Sequence, residues 1–142
     1  MFSKEASRQL RHEFWIAFGK SFPRKWIMYN TKIKGLSFKF HFDTKKALVA
    51  LDLEDQLENR VNYWGKLLAL KSILINDYLS DAIFEEDYIL ENGKTISRIY
   101  VSLEENASIH NKNSWQVTMG FFNKAMTLFE AFFEEYKDVV KN

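Results

Sequence analysis

The sequence predicts an α+β fold: an antiparallel sheet of about four strands, built from two β-hairpins, packed with three long helices in the order α-β-β-α-β-β-α. Three observations predict it. Residues 36–53 hold two stretches of two-residue alternation around a polar turn, Asn92-Gly93 lies between two further strand-like stretches, and three longer segments repeat apolar residues at helical spacing. With one proline, no low-complexity segment and no repeat, residues 1–142 read as a single domain without a linker.

The first helix is expected over residues 3–20, with Ser3 as N-cap, Leu10, Phe14, Ala17 and Phe18 on its apolar face, and Gly19 and Pro23 ending it. Residues 24–35 have no period and read as an irregular connection. Leu36, Phe38, Phe40 and Phe42 then alternate with Ser37, Lys39, His41 and Asp43, so one face of this strand is buried and one is wet. A turn over residues 43–46 leads to a second strand, with Val49, Leu51 and Leu53 inward. A long helix follows to about residue 79, with Asp55 and Glu58 as a capping box and Leu57, Val61, Trp64, Leu68, Ile75 and Tyr78 as its apolar stripe. Asn92-Gly93 predicts a two-residue type I′ hairpin turn between strands at 83–91 and 95–103, which would place Asp87 opposite Arg98 as an exposed ion pair. The last helix starts near Ser114, with Asn113 and Gln116 as its capping box and Trp115, Phe122, Met126, Phe129, Phe133, Tyr136 and Val140 as its stripe. Gly65 and Gly120, inside helices, mark either close helix packing or ordinary tolerated glycines.

A chain of this length buries roughly 70% of its unfolded surface, enough to fold without staples. The absence of cysteine excludes disulfides, thiolate zinc sites, iron–sulfur clusters and cysteine nucleophiles, and fits a reducing, cytoplasmic setting. The N-terminus opens on a charged, helical pattern, so no signal peptide is expected. Lys66 and Lys71 interrupt the most apolar helix, so no window reaches the ~20 apolar residues of a membrane span, and no membrane partner is expected.

Net charge is only +1, yet its distribution is uneven. Residues 1–42 carry nine Lys/Arg against Glu5 and Glu13, whereas residues 43–111 carry seven against thirteen carboxylates. Either folding interleaves the two segments and cancels the field, or a positive and a negative region survive to steer a polyanion or drive self-association. Thirteen Phe, six Tyr and four Trp exceed ordinary usage; most belong in a core, and a surplus would line a pocket or partner surface.

Several chemistries are absent. The five glycines are isolated, so there is no phosphate-binding loop, and His12, His41 and His110 sit on separate elements without ligand spacing. No Gly-x-Ser-x-Gly elbow occurs, and no cofactor is expected. Carboxylates remain: Asp52, Glu54 and Glu58 would converge on a divalent cation if the strand end and the following helix turn meet, as a metal-dependent nuclease requires. The plain reading of the same residues is a solvent-facing strand end beside a helix N-terminus. Asp43 and Lys45 fall at a turn, where polar residues are expected anyway. Glu85, Glu86 and Asp87 are divided between faces by alternation and read as charge blunting an edge strand.

The basic stretch Lys20, Arg24, Lys25, Lys32 and Lys34, with Trp26 and Tyr29 interleaved, has the composition that tracks phosphates and stacks on bases of single-stranded nucleic acid. The alternative is a core Trp26 with solvated lysines around it.

Phe14-Trp15 in the first helix, the Lys39–Glu54 hairpin leading into residues 59–79, and Ser114-Trp115 opening a Phe-rich terminal helix resemble a bacterial family, domain of unknown function 4268. The resemblance covers most of the chain. It implies a nucleic-acid or defence context, because members occur alone or appended to nuclease-like domains, and it supplies no catalytic residues. The favoured expectation is a non-catalytic binding or interaction module that self-associates through aromatic-rich helix surface and binds nucleic acid through the basic stretch. The alternative is a metal-dependent nuclease-like enzyme using Asp52, Glu54 and Glu58.

Overall fold

The computed structural model describes residues 2–142. Its elements are α1 (Lys4–Ser21), β1 (Leu36–Phe42), β2 (Ala47–Leu53), α2 (Leu57–Ala69), α3 (Lys71–Asp77), β3 (Ile83–Ile89), β4 (Thr95–Ser102), a 3-10 turn (Lys112–Ser114) and α4 (Trp115–Lys141). The class is α+β and the expected order holds, with the central helix in two pieces. Ala69, Leu70 and Lys71 are all good helix formers, so nothing local marks the break. Leu67, Leu70 and Leu74 stay buried across it.

The sheet order is β1-β2-β4-β3 and every neighbouring pair is antiparallel. Register assigns the faces. Phe38, Leu51, Ile99 and Phe84 form one row across the sheet, and Phe40, Val49 and Val101 the next. These point into the core together with Phe14 and Phe18 of α1, Trp64 and Leu67 of α2, and Phe122, Phe129 and Phe133 of α4. The helices therefore share one face of the sheet. Aromatic edges knit the layer: Phe14 meets Phe42 at 4.7 Å, Phe38 meets Phe133 at 5.6 Å and Trp15 stacks on Phe122 at 5.7 Å between ring centres.

Local signals succeeded where the side chain had one obvious partner. Ser3 caps α1, its Oγ accepting from the Ala6 N–H at 3.1 Å. The two expected capping boxes do not form. Gln56 takes the N-cap of α2 without a side-chain bond, because Asp55 instead accepts from the adjacent Gln56 N–H. Asn113 is drawn into the 3-10 turn that Asn111 caps, leaving Ser114 at the start of α4. Gly65 and Gly120 do not mark close packing within the chain, since an added Cβ at either would meet nothing within 4 Å.

The Asn92-Gly93 hairpin is real but its turn is not type I′, because only Gly93 has positive φ, at +87°. The Gly93 N–H donates to Leu90 O and the Leu90 N–H to Lys94 O, a three-residue loop ending in a left-handed glycine. Ile89 thus pairs with Thr95, and a bulge sets Glu86 and Asp87 together against Ser97. The expected Asp87–Arg98 pairing is lost: Arg98 faces Glu85 on β3 and Asp52 on β2. Buried Arg60 pins the bulge, its Nη1 donating to Glu86 O at 2.7 Å and Ser97 Oγ at 3.0 Å. Both β3 and β1 are edge strands, and the acidic run does lie on the edge of β3.

The connection over residues 22–35 is irregular but fixed. Met28 and Lys32 adopt left-handed φ of 49° and 65°. Met28 O accepts from the Phe38 N–H, so the connection covers part of the β1 edge. Buried Thr31 accepts from the Ile33 N–H and donates to Leu36 O at 2.8 Å. Gly35 closes the segment at φ +83°, where an added Cβ would lie 2.8 Å from Glu54 O. Gly35→Ala is therefore expected to lower the unfolding free energy by about 2 kcal/mol or more in urea denaturation. Gly120→Ala, in open space within α4, should raise it by about 0.5–1 kcal/mol. Equal responses would remove the constraint assigned to Gly35.

Candidate functional site

Two surfaces carry the residues that the sequence singles out: the sheet face turned away from the helices, and the basic connection beside it.

On the outer face, alternation places Ser37, Asp52, Arg98 and Glu85 in one row and Lys39, Ala50 and Tyr100 in the next. β2 was expected to alternate in burial, yet every one of its residues is buried. The reason is a roof made by the face's own side chains. Arg98 forms a two-pronged bond to Asp52, Nε to Oδ1 at 2.7 Å and Nη2 to Oδ2 at 2.9 Å, with both residues buried. The Tyr88 ring lies 4.5 Å over that guanidinium and 5.6 Å from the Tyr100 ring. Lys46 Nζ donates to Tyr88 Oη at 3.4 Å, and Leu48 and Ala50, on the same face of β2, are buried. Burial opposes the charge on Arg98, but Asp52 outweighs it and holds the guanidinium above its usual pKa. Burial and the hydrogen bond to Glu85 push the Tyr100 hydroxyl up to about 12, so it stays a donor.

The proposed carboxylate cluster is dispersed. Asp52 is taken by Arg98, Glu54 pairs with Lys94 Nζ at 3.1 Å, and Glu58 is exposed on α2. Among the described residues no group of three His, Asp or Glu side chains is placed to share a metal ion. Asp43 shapes its turn, accepting from the Lys45 and Lys46 backbone N–H groups and from His41 Nε2 at 2.7 Å. The Lys45 side chain is not part of that arrangement. The other histidines stay apart: His12 is exposed, and His110 bonds to Ser7 Oγ at 2.6 Å.

The basic connection divides into anchors and free groups. Glu130 of α4, 5% exposed, accepts from the Ile27 N–H at 2.6 Å and from Arg24 Nη2 at 2.9 Å. Arg24 also donates to Thr127 Oγ1 and lies 4.4 Å over the Trp26 ring. Trp26 is half-buried against Phe18 and Phe40. Arg24 and Trp26 thus hold the segment down. Lys20, Lys25, Lys32 and Lys34 are exposed and form no ion pair among the described residues. Tyr29 is 73% exposed, with Lys39 Nζ 5.6 Å from its ring. Tyr29 is thus the point where the connection and the outer face adjoin.

The charge asymmetry is not cancelled by direct contact. No ion pair among the described residues joins a Lys or Arg of residues 1–42 to a carboxylate of residues 43–111. The acidic segment instead rims a groove of about 350 Å³ between the α3–β3 connection and α4, where Asp81, Glu104 and Glu105 surround Tyr78, Leu103 and Phe121. No helix among the described residues is long and apolar enough to cross a membrane.

Residues 10–137 match the family model described as Domain of unknown function (DUF4268). The chain belongs to that family. Comparisons of this DUF4268 chain with curated proteins and with solved structures give no match. Its outer-face pair escaped sequence reading because the two-residue turn put Arg98 opposite the wrong carboxylate. The usable signal was Asp52 itself, a charge inside an otherwise apolar β2.

Removing one partner of the buried pair strands the other. Asp52→Ala should lower the unfolding free energy by about 3–5 kcal/mol, and Asp52→Leu with Arg98→Met should recover most of it. Chemical denaturation of the single and double variants checks this; an Asp52→Ala cost below about 1 kcal/mol would contradict it. Asp43 gives a pH signature. Burial raises its pKa, but the His41 bond and two backbone N–H groups outweigh that and hold it below the usual carboxylate value. A depressed carboxyl contributes stability above its unfolded value of about 3.9, lost as pH falls through the folded one. Asp43→Asn should therefore be less stable than the wild type at neutral pH and converge with it in acid. A constant gap down to the acid limit would count against the assignment.

Proposed function

We propose that this chain is a non-catalytic binding module for single-stranded nucleic acid, with Lys20 at the end of α1 and the connection over residues 22–35 as its phosphate-tracking element and Tyr29 as its stacking ring. The carrying observation is that three lysines with no ion pair among the described residues and a 73% exposed tyrosine sit on an irregular segment locked in place by buried Glu130, with Lys20 in the last turn of α1 beside it. Cations neutralise phosphates and release counterions, while an exposed ring accepts any base face. Locking the segment lowers the entropy lost on binding. Arg24 and Trp26, first read as ligand contacts, serve in this reading as the clamp. The setting we propose is bacterial and cytoplasmic, in nucleic-acid handling or defence, as the family resemblance implies. Asp52, Glu54 and Glu58 have no comparable geometric support as a metal-dependent alternative.

Binding of a fluorescent single-stranded oligonucleotide should be measurable at low salt and weaken steeply as salt rises. Lys25→Glu and Lys34→Glu should each weaken it and flatten the salt slope. Tyr29→Ala should cost about 1–3 kcal/mol, whereas Lys124→Glu on α4 should change little. Absence of binding at low salt, or equal effects of Lys124→Glu and Lys34→Glu, would sink the proposal.

A further inference from the structure

The two edges of the sheet differ in sign. On one side β3 carries Glu85, Glu86 and Asp87, which repel a polyanion. On the other, β1 and the turn that closes it carry Lys39, Lys45 and Lys46 against a single carboxylate, Asp43. Asp43 is engaged by His41 and by two backbone N–H groups, while the three lysines form no ion pair among the described residues. Lys39 Nζ stands 5.6 Å from the Tyr29 ring, so the positive edge begins where the basic connection ends.

The β1 edge also offers a backbone donor. Odd-numbered residues turn to β2, because at either end of the pairing the Glu54 N–H donates to Gly35 O and the Asp43 N–H to Lys46 O. The even-numbered residues therefore turn outward. Two of those groups are taken, Leu36 N–H by Ile33 O and Phe38 N–H by Met28 O. The N–H groups of Phe40 and Phe42 find no acceptor among the described residues. Phe42 is buried, which leaves the N–H of half-buried Phe40, next to Lys39, as the donor on offer. An unpaired edge N–H beside a cation suits a phosphate oxygen. The same lysines discourage pairing with another β-strand, so charge selects a polyanion over strand addition.

We propose that the nucleic-acid track does not end at Lys34 but turns at Tyr29 onto the β1 edge, one phosphate resting on Lys39 and the Phe40 N–H and the strand leaving past Lys45 and Lys46. The extension rests on the binding reading proposed above and lengthens its site by the seven residues of β1, about 20 Å.

The probe is an oligothymidylate of about twelve nucleotides, followed by fluorescence anisotropy across a salt series. Lys45→Gln, at an exposed turn position, should lower the steepness of log K against log salt by about 0.7, and Lys39→Gln with Lys45→Gln by about 1.4. At low salt the double variant should bind about tenfold more weakly. Glu86→Gln, on the opposite edge, should change neither quantity. Amide exchange followed by NMR should show the Phe40 N–H slowed by the oligonucleotide and released again at high salt. Binding that needs Lys34 and Tyr29 but keeps its salt slope in the Lys39→Gln, Lys45→Gln variant, with Phe40 exchange unaltered, would overturn the extension and leave the parent reading standing. Phe40 protection that persists at high salt would mark a partner held by strand pairing and overturn it too. A wild type that binds no oligonucleotide at low salt would remove both.

Discussion

The Asp52–Arg98 pair governs the half of the sheet that no helix covers. It bridges the two central strands, so the pairing of β2 with β4 cannot slip by one residue without moving Arg98 to the opposite face. A buried ion pair is a weak source of net stability, because two desolvated charges recover little more than they lose. Its value here is specificity. Arg98 also supplies the cation on which Tyr88 rests, and Tyr88 in turn accepts from Lys46. One interaction thus fixes a register, positions an aromatic ring and buries apolar surface without a second helical layer. It also removes Asp52 from any shared metal site, since both its oxygens are engaged.

On the other face the aromatic surplus is consumed by packing. Phe14, Phe18, Phe38, Phe122, Phe129 and Phe133 lie between α1, α4 and the sheet, meeting mostly edge to face, the arrangement their quadrupoles favour. Few rings are left for a surface. Tyr29 is the clear exception, and it stands where the basic connection adjoins the uncovered face.

Much of this was legible in the sequence, wherever the signal was periodic. Both hairpins follow from period-two alternation, and the stripe of α4 is buried nearly as read, with Trp115, Phe122, Met126, Phe129, Phe133 and Val140 all inside. What failed depended on a partner distant in sequence. Arg60 is buried because the β3 bulge presents it a backbone carbonyl, and no helical pattern in α2 could announce a bulge some 26 residues on. Gly93 revealed the turn, but turn length rests on Asn92 keeping negative φ, and that single residue shifts every pairing on β3. Of the candidate ligand residues, Arg24 and Trp26 were found by composition, yet their use is decided by Glu130, more than a hundred residues away.

Glu130 gives the basic connection its character. A loop with two non-glycine residues at left-handed φ holds backbone strain, costing on the order of 1 kcal/mol at each, and persists only where its surroundings over-determine it. Here the buried carboxylate supplies that fixation from α4, through one backbone N–H and one guanidinium. Fixing the backbone while leaving three lysines without an ion pair among the described residues separates two jobs that a mobile basic tail would combine. The loop is ordered during folding, so in the binding reading proposed above only lysine rotamers would remain to be ordered. Helix α2 likewise carries exposed apolar side chains, Leu57, Val61 and Leu68, on a helix whose Trp64 and Leu67 are buried. In both places what is exposed is held by something buried, Glu130 beneath the loop and Trp64 on the core side of the helix.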